Sequence, residues 1–310
     1  MSYFEQSIRP MEPRLSTSLP VGEQYRYQVK WDGMRLLAFG CKGKLRLQGK
    51  SLREKTFKYP ELSGLPQLLN KEDFILDGEL IALLEGSPSF FSLMKREHQA
   101  NNNIKSPSIP VFYMVFDCLY LDGVWLSKHS WESRQDILTR VLQEDRNVHI
   151  CASFADGENL LAAVKKQKLE GVVAKKRESP YVEGPHKSPY WLKTKVEQHI
   201  EAWVGGISMR NGKVASLILG LEENDEQGSG QIKLRHIGNV SSGLTEQDLS
   251  EWQKWGRRHE VSHPLFLKTN PVPGREIIWV EPQRRINVTF NEWTPELKLR
   301  APRVRKGKGL

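Results

Sequence analysis

The chain has 310 residues, 38% hydrophobic and 27% charged, with a mean hydropathy of -0.53, which excludes a fibrous or disordered protein and leaves room for one large domain or two ordinary ones. Lys and Arg outnumber Asp and Glu by 46 to 37, and a net charge of +9 favours a polyanionic partner, because phosphate contacts release counterions. No apolar run approaches the roughly 18 residues of a membrane helix; with no signal-peptide pattern and three cysteines (Cys41, Cys118, Cys151) lacking metal spacing, a cytosolic protein without disulfides, zinc or membrane contact is expected.

Residues 1–22 are punctuated by Pro and Ser and are expected to wrap the first domain. YRYQVKW and MRLLAFG alternate apolar and polar residues on either side of Asp32-Gly33, which predicts a hairpin whose glycine supplies positive φ; GKLRLQGK extends the meander. YPELSGLPQLLN predicts a short helix entered through Pro60, FILDGELIALL a strand pair broken at Asp77-Gly78, and FSLMKREHQ a helix. SIPVFYMVFDCLYLDG reads as an apolar strand closed by another Asp-Gly turn, and SWESRQDILTRVLQ as an amphipathic helix capped by Ser130. NLLAAVKKQKLE is a helix leading into the buried strand GVVAKKR, and WLKTKV is a further strand.

After Glu197 the texture changes. HIEAWVGGISM and KVASLILGL flank an Asn-Gly hairpin turn, the polar EENDEQGSG leads to QIKLRHIGNV, and TEQDLSEWQKWGRRH is a helix with a Thr245/Asp248 capping box. REIIWVEPQ and INVTFNEWT follow as strands, before a basic tail without acidic residues. Three strands, a helix and two strands is the order of a five-stranded oligonucleotide-binding barrel. The fold class is therefore α+β in two domains: residues 1–197, antiparallel sheets with flanking helices, and residues 198–310, an OB-fold barrel with its tail. One continuous α+β domain is the alternative.

The sharpest local signal is Lys30-Trp31-Asp32-Gly33-Met34-Arg35, which places an amine and a guanidinium together at a strand end. A neutral lysine is a nucleophile, and a cationic neighbour would lower its pKa. Asp77-Gly78-Glu79 and Phe116-Asp117 end apolar strands, Glu170 and Lys175 flank a buried one, and Lys193 and Lys195 share a strand face by the period of two. Singly, each reads better as a solvated charge or a core ring than as a functional group. Together they supply a nucleophile, two carboxylates for a divalent metal, lysines for phosphate and an aromatic face for a base. The nine tryptophans read mostly as core.

In this order and spacing the segments resemble the covalent nucleotidyltransferase superfamily, and within it the bacterial ATP-dependent DNA ligases, especially the ligase module of bacterial end-joining enzymes. The resemblance runs from PMEPRLSTSLPVGEQYRYQVKWDGMR through FILDGEL, VFYMVFDCLYLDG, EGVVAKK, SPY and WLKTK to EWTPELKLRAPR. It implies that residues 1–197 are an adenylation domain and that ATP and Mg2+, with Mn2+ as the other candidate ion, are the cofactors. It implies that Lys30 attacks the α-phosphate of ATP, that Arg35 sits by the ribose and later the nick's 5′-phosphate, and that Phe116 stacks on adenine. Glu79 and Glu170 would hold the metal, with Glu79 also near the ribose, and Lys175, Lys193 and Lys195 would contact phosphates. The implied partner is nicked duplex DNA, with DNA repair or end joining as the pathway, a DNA-end-binding protein as a further partner, and a monomer as the working unit.

Four positions depart from the family pattern. Gln28 stands where glutamate is usual; its oxygen can still accept from the adenine amino group, but its amide also offers a donor. Lys50 stands where arginine is usual and loses the bidentate fork. Lys187-Ser188 replaces an Arg-Ser pair, and the usual C-terminal Arg-x-Asp-Lys element lacks its aspartate, leaving Arg305 and Lys306 as substitutes. For the duplex, Lys50, Lys233, Arg235, Arg284, Arg285, Arg303 and Arg305 are candidate phosphate contacts, together with Arg257, Arg258, His236, Lys298, Arg300 and Lys308. With 29 residues ahead of Lys30, no separate N-terminal DNA-binding domain is expected. The alternatives are an RNA ligase or capping-type nucleotidyltransferase, and a catalytically inactive nucleic-acid-binding relative.

Overall fold

The computed structural model of the protein describes residues 3–98, 109–223, 233–266 and 275–305; Gln99, the stretch 224–232, Lys306 and Lys308 lie outside the described residues. The chain divides into two compact units, residues 1–196 and 197–310.

In the first unit, β1 (Glu12–Leu15), β2 (Tyr25–Lys30), β10 (Gly171–Lys176) and β11 (Lys187–Lys195) form a four-stranded sheet in the order β1-β11-β10-β2. A seven-stranded sheet contains β3 (Met34–Cys41), β4 (Lys44–Gly49), β5 (Asp73–Leu84), β6 (Ser87–Pro88), β7 (Val111–Leu121), β8 (Val124–Trp125) and β9 (Val148–Ile150), with the path β4-β3-β5-β7-β8. The expected hairpin at Asp32-Gly33 is therefore not one. β2 pairs with β10, β3 pairs with β4 and β5, and the chain crosses from one sheet to the other at residues 31–33. Gly33 does not have positive φ. It is required because a Cβ there would lie 2.3 Å from the Leu80 carbonyl oxygen. β5 is likewise one continuous strand. The break expected at Asp77-Gly78 is a slip in its register with β7, and Gly78 makes room for the Tyr113 ring.

Between the two sheets lies a core of Met11, Leu37, Phe39, Ile75, Leu119, Trp131, Tyr181 and Trp191. Ile8 and Met11 belong to it, so the N-terminal segment packs into this unit as expected. Helix α1 (Phe90–Glu97) is capped by Ser89 and helix α2 (Trp131–Val141) by Ser130, each accepting from the backbone N–H three residues on. Helix α3 (Gly157–Lys166) covers the other face of the four-stranded sheet, where Leu160 and Val164 meet Tyr27, Val172 and Ala174. The segment from Pro60 forms two 3-10 turns, Pro60–Leu62 and Leu65–Leu68, rather than one helix, since Gly64 and Pro66 interrupt α-helical bonding. β7 ends in the expected turn, with Asp122 and Gly123 both at positive φ.

The second unit has β12 (Gln198–Arg210), β13 (Lys213–Glu223), β14 (Lys233–Val240), helix α4 (Glu246–Arg258), β15 (Glu276–Trp279) and β16 (Arg285–Phe290), the OB-fold order. Two short additions follow: β17 (Glu292–Trp293) pairs with β18 (Leu299–Arg300), and β19 (Arg303–Val304) joins β16. β12 pairs with β13, β15 and β16, and bulges along its β13 pairing bend it. Asn211 and Gly212 supply the positive φ of the β12–β13 turn, and α4 carries the complete capping box. Four of the nine tryptophans (Trp131, Trp191, Trp252, Trp255) are buried and the half-buried Trp203 and Trp279 pack against a core cluster, so most of them serve the core as expected. No helix of the described residues is long and apolar enough to cross a membrane.

One buried ion pair holds the middle of β7, which runs past Asp117 to Leu121 and is not ended there as the sequence suggests. Arg134 and Asp117 are both fully buried and meet in a bidentate pair at 2.7 and 3.0 Å, while Arg134 Nη1 also donates to the carbonyls of His129 and Ser179. Arg134→Met would leave the Asp117 carboxylate buried without its counter-charge and is expected to lower the unfolding free energy by about 3–5 kcal/mol. Chemical denaturation checks this, and an Arg134→Met/Asp117→Asn pair should recover much of the loss.

Candidate active site

β10 lies between β2 and β11, and the register brings Gly171 opposite Lys30 on one side and Lys195 on the other. By the period of two, Gln28, Lys30, Lys175, Trp191, Lys193 and Lys195 share one sheet face. Glu170, just ahead of β10, is buried between the ends of its neighbours. Its Oε2 contacts Lys30 Nζ and its Oε1 lies 3.2 Å from Lys195 Nζ. Lys193 stands opposite Val173 on the same face. The structure therefore brings Lys30, Glu170 and Lys195 into one cluster.

Lys30 differs from expectation in its electrostatics. Burial pushes its pKa down, but Glu170 and Glu79 outweigh burial and hold it above the ordinary lysine value. The lysine is an ammonium here because its neighbours are carboxylates, not cations. Glu79 shows the converse. Burial raises its pKa to about 7, against the opposing pull of Lys30 and Arg35. Lys30 and Arg35, on different sheets, thus meet across Glu79 rather than across a hairpin.

Arg35 is tied to the buried Asp77 through Nε and Nη2, each at 2.5 Å, and Nη2 donates to the Met11 carbonyl at 3.1 Å. The Tyr181 hydroxyl donates to Asp77 at 2.6 Å and accepts from the Met11 backbone at 3.0 Å. Beyond this knot the Arg35 guanidinium carbon stands 4.6 Å from the centre of the half-buried Phe116 ring. Phe116 meets Trp191 edge-on at 5.9 Å. Lys175 is not beside Lys195. It is buried between these rings, with Nζ 4.3 Å from Phe116 and 4.1 Å from Trp191, because its register partner is Trp191. Burial lowers its pKa to about 7, so at neutral pH much of it is uncharged. Gln28 is also buried and donates to Gln135 and to the Cys151 carbonyl.

Among the described residues no group of three or more His, Cys, Asp or Glu could hold a metal unaided. Glu79 and Glu170, both acting on Lys30, fit an ion of the Mg2+ type that takes one or two carboxylates and completes its shell with substrate phosphates and water.

The candidate nucleic-acid residues are more constrained than the sequence suggests. Lys50 pairs with Glu12 at 2.9 Å, and Arg235 with Glu223. Lys233 opens β14 opposite Glu223. Arg285 begins β16, between Glu201 and Glu222 and 4.0 Å from the Trp203 ring; Arg284 lies over Trp255 at 5.1 Å. Arg303 and Arg305 are exposed. Lys298 donates to His236, and Arg300 pairs with Glu292.

Tyr181, Met11, Arg134 and Gln135 are given no role by the sequence reading, and Asp77 is read there only as a strand end. Tyr181 and Met11 had a signal, the segments Ser179-Pro180-Tyr181 and Pro10-Met11-Glu12 within the resemblance; Gln135 acts on Gln28, 107 residues away, and had none.

The raised Glu79 pKa has a consequence for stability. Between its ordinary value of 4.5 and about 7, folded Glu79 holds a proton that the unfolded chain releases. Its contribution is complete below pH 4.5 and is lost as pH rises through 7. Nucleotide-free denaturation across this range should show Glu79→Gln with a smaller decline in stability than the parent.

The sequence model described as the ATP dependent DNA ligase domain matches residues 14–195, and that of the ATP dependent DNA ligase C terminal region matches residues 210–308. The chain is 30% identical over 310 residues to the multifunctional non-homologous end joining protein LigD of Mycolicibacterium smegmatis, covering 96% of this chain and 38% of that protein. It is 31% identical over 289 residues to the corresponding protein of Mycobacterium tuberculosis, covering 89% and 35%. The chain thus spans little more than a third of these relatives. A structure of a mycobacterial DNA ligase D complexed with ATP and MES matches at 28% identity and a TM-score of 0.58, covering 99% of this chain and 97% of that one. The ligase domain of M. tuberculosis LigD matches at 27% and 0.56, covering 98% and 95%. With both units matched in order, and with Lys30 and Glu170 from one sheet brought near Glu79 and Phe116 from the other, the chain belongs to the ATP-dependent DNA ligase family.

Proposed function

We propose that this chain seals nicks in duplex DNA through a lysyl-AMP intermediate, with Lys30 as the nucleophile. The reading rests on one arrangement: Lys30 Nζ at the end of β2, touching Glu170 and facing Glu79, on the sheet face that also carries Gln28, Lys193 and Lys195. Lys30 must first lose a proton; Glu170, in contact with it before the metal is bound, accepts the proton and passes it to solvent. The neutral amine then attacks the α-phosphorus of ATP; the N–P bond forms, the bond to the β-phosphate oxygen breaks, and pyrophosphate leaves. Lys193 and Lys195 neutralise the phosphates, Phe116 stacks on adenine, and Arg35, held by Asp77, faces the ribose. Glu79 and Glu170 would hold Mg2+, which would supply further neutralisation of charge at the phosphates. In the second step an oxygen of the nick's 5′-phosphate attacks the AMP phosphorus, the Lys30 N–P bond breaks, and Lys30 leaves as the amine. In the third, the 3′-hydroxyl attacks that phosphate and AMP leaves.

The mycobacterial relatives are named for non-homologous end joining, and this pathway, with a DNA-end-binding partner, is the one we assign to the chain. Contact with duplex phosphates, without base reading, suits a substrate of any sequence.

Intact mass after incubation with Mg2+ and ATP, GTP or NAD tests the first step. One AMP is expected from ATP alone, and none in Lys30→Ala, which should also fail to seal nicked DNA. Retained sealing by that variant overturns the assignment. A GMP adduct moves the reading to a capping-type enzyme, and no adduct from AMP-free protein moves it to an inactive relative. For the DNA contacts, Arg303→Ala with Arg305→Ala is expected to weaken nick binding and reduce the salt slope by about one to two. An unchanged slope removes both from the phosphate contacts.

A further inference from the structure

We propose that Gln135 and the Cys151 carbonyl lock the Gln28 amide so that it presents only an acceptor to the nucleotide base, and that this lock replaces a carboxylate in selecting adenine over guanine. The proposal rests on the reading that a purine lies on this sheet face beside Lys30.

A primary amide is an ambivalent reader of purines. It carries one acceptor oxygen and two N–H donors, so a freely turning glutamine can serve either the 6-amino donor of adenine or the 6-oxo acceptor of guanine. Here the turning is blocked. Gln28 is 2% exposed, and its Nε2 donates to Gln135 Oε1 at 3.2 Å and to the Cys151 carbonyl at 3.0 Å. Turning the amide over would set its oxygen against both acceptors.

Neither acceptor can convert to a donor. The Cys151 partner is a main-chain carbonyl. Gln135 could in principle turn its own amide, but its Nε2 donates to the Phe116 carbonyl at 2.8 Å, a second main-chain acceptor. Two amides in series are thus anchored at both ends by main-chain oxygens, and each fixes the other's orientation. The same bond joins the base reader to the ring expected to stack on the base, since Gln135 holds the backbone of Phe116.

What the lock leaves over is one acceptor. Gln28 Oε1 is buried and, among the described residues, has no hydrogen-bond donor. Buried acceptors are rarely left unpaired, so the atom points to a donor supplied by a ligand. The adenine 6-amino group provides one. A guanine in the same place would oppose oxygen to oxygen.

The lock also reverses a simple expectation. Restoring the usual family residue by Gln28→Glu would face a carboxylate with the Cys151 and Gln135 oxygens, neither of which is a donor. The acid needs a cation at position 135 to be accommodated. Gln135 is therefore a positioning residue that acts through Gln28.

The test uses the full chain as wild type, Gln135→Leu, Gln28→Glu and Gln28→Glu/Gln135→Arg. Two readouts are the rates of AMP and GMP attachment from ATP and GTP, and the nucleotide-free melting temperature. The wild type should prefer ATP, and Gln135→Leu should reduce that preference by about tenfold or more while still forming an adduct. Gln28→Glu should lower both the melting temperature and the rate with ATP, and Gln135→Arg added to it should restore both. A Gln135→Leu variant with the wild-type preference, or a Gln28→Glu variant as stable and active as the wild type, overturns the lock. A wild type that takes up neither nucleotide overturns the ligase reading instead, and the melting temperatures of the two Gln28→Glu variants then still decide the lock.

Discussion

The register of β10 is the constraint on which the candidate site depends. This strand is hydrogen-bonded on both sides, to β2 and to β11, and its first residue stands opposite Lys30 and Lys195 at once. Glu170, one residue earlier, can meet both amines only in that register. A slip of one residue on either side would turn the lysine of that strand to the face covered by α3, where Tyr27, Leu160 and Val164 exclude charge. The apolar packing of α3 and the charge cluster on the opposite face thus enforce one another. The nucleophile's position follows from strand pairing more than from any contact of its own.

Around this cluster the protein keeps charges in low-dielectric surroundings by pairing them in tiers. Arg134 and Asp117 are fully enclosed and secure the backbone beside Phe116. Arg35 and Asp77 come next, steadied by Tyr181 and the main chain of Met11, so the N-terminal segment helps to aim an arginine that follows it by 24 residues. Lys30, Glu79 and Glu170 form the outer tier, partly open to solvent and without a one-to-one pairing. Closed pairs are expensive to disturb and serve as scaffold; the incompletely matched group is where a phosphate and a divalent ion can enter the balance. Lys175 stands apart. Enclosed by Phe116 and Trp191, it is pushed toward the neutral amine by the same burial that the paired charges offset.

In the second unit the excess positive charge is less available than a count of residues implies. Arg235 is engaged by Glu223, Arg285 by Glu201 and Glu222, and Arg284 lies over Trp252 and Trp255. These arginines cover hydrophobic rings with their planar faces while remaining charged. A polyanion approaching them competes with local carboxylates, whereas Arg303 and Arg305 are exposed near the end of the chain.

Local information determined a large part of this protein. The Ser130 cap, the Thr245/Asp248 capping box and the Asn211-Gly212 turn depend on neighbours within a few residues, and the structure has all of them. The spacing from Lys30 through Glu79, Phe116 and Glu170 to Lys195 was sufficient to identify the family. Pairing was not legible. Asp32-Gly33 has the composition of a hairpin turn, yet the glycine serves a close approach to Leu80 at a crossing between sheets. The Lys30 pKa was misjudged for the same reason, because the nearest charges in sequence are not the nearest in space. Gln135 had no signal at all, since its importance lies in one hydrogen bond to a residue 107 positions away. Sequence by itself determined which chemical groups are present and which local elements carry them. The tertiary structure alone decided which groups meet, because electrostatic and hydrogen-bond energies fall off with distance in space and take no account of distance along the chain.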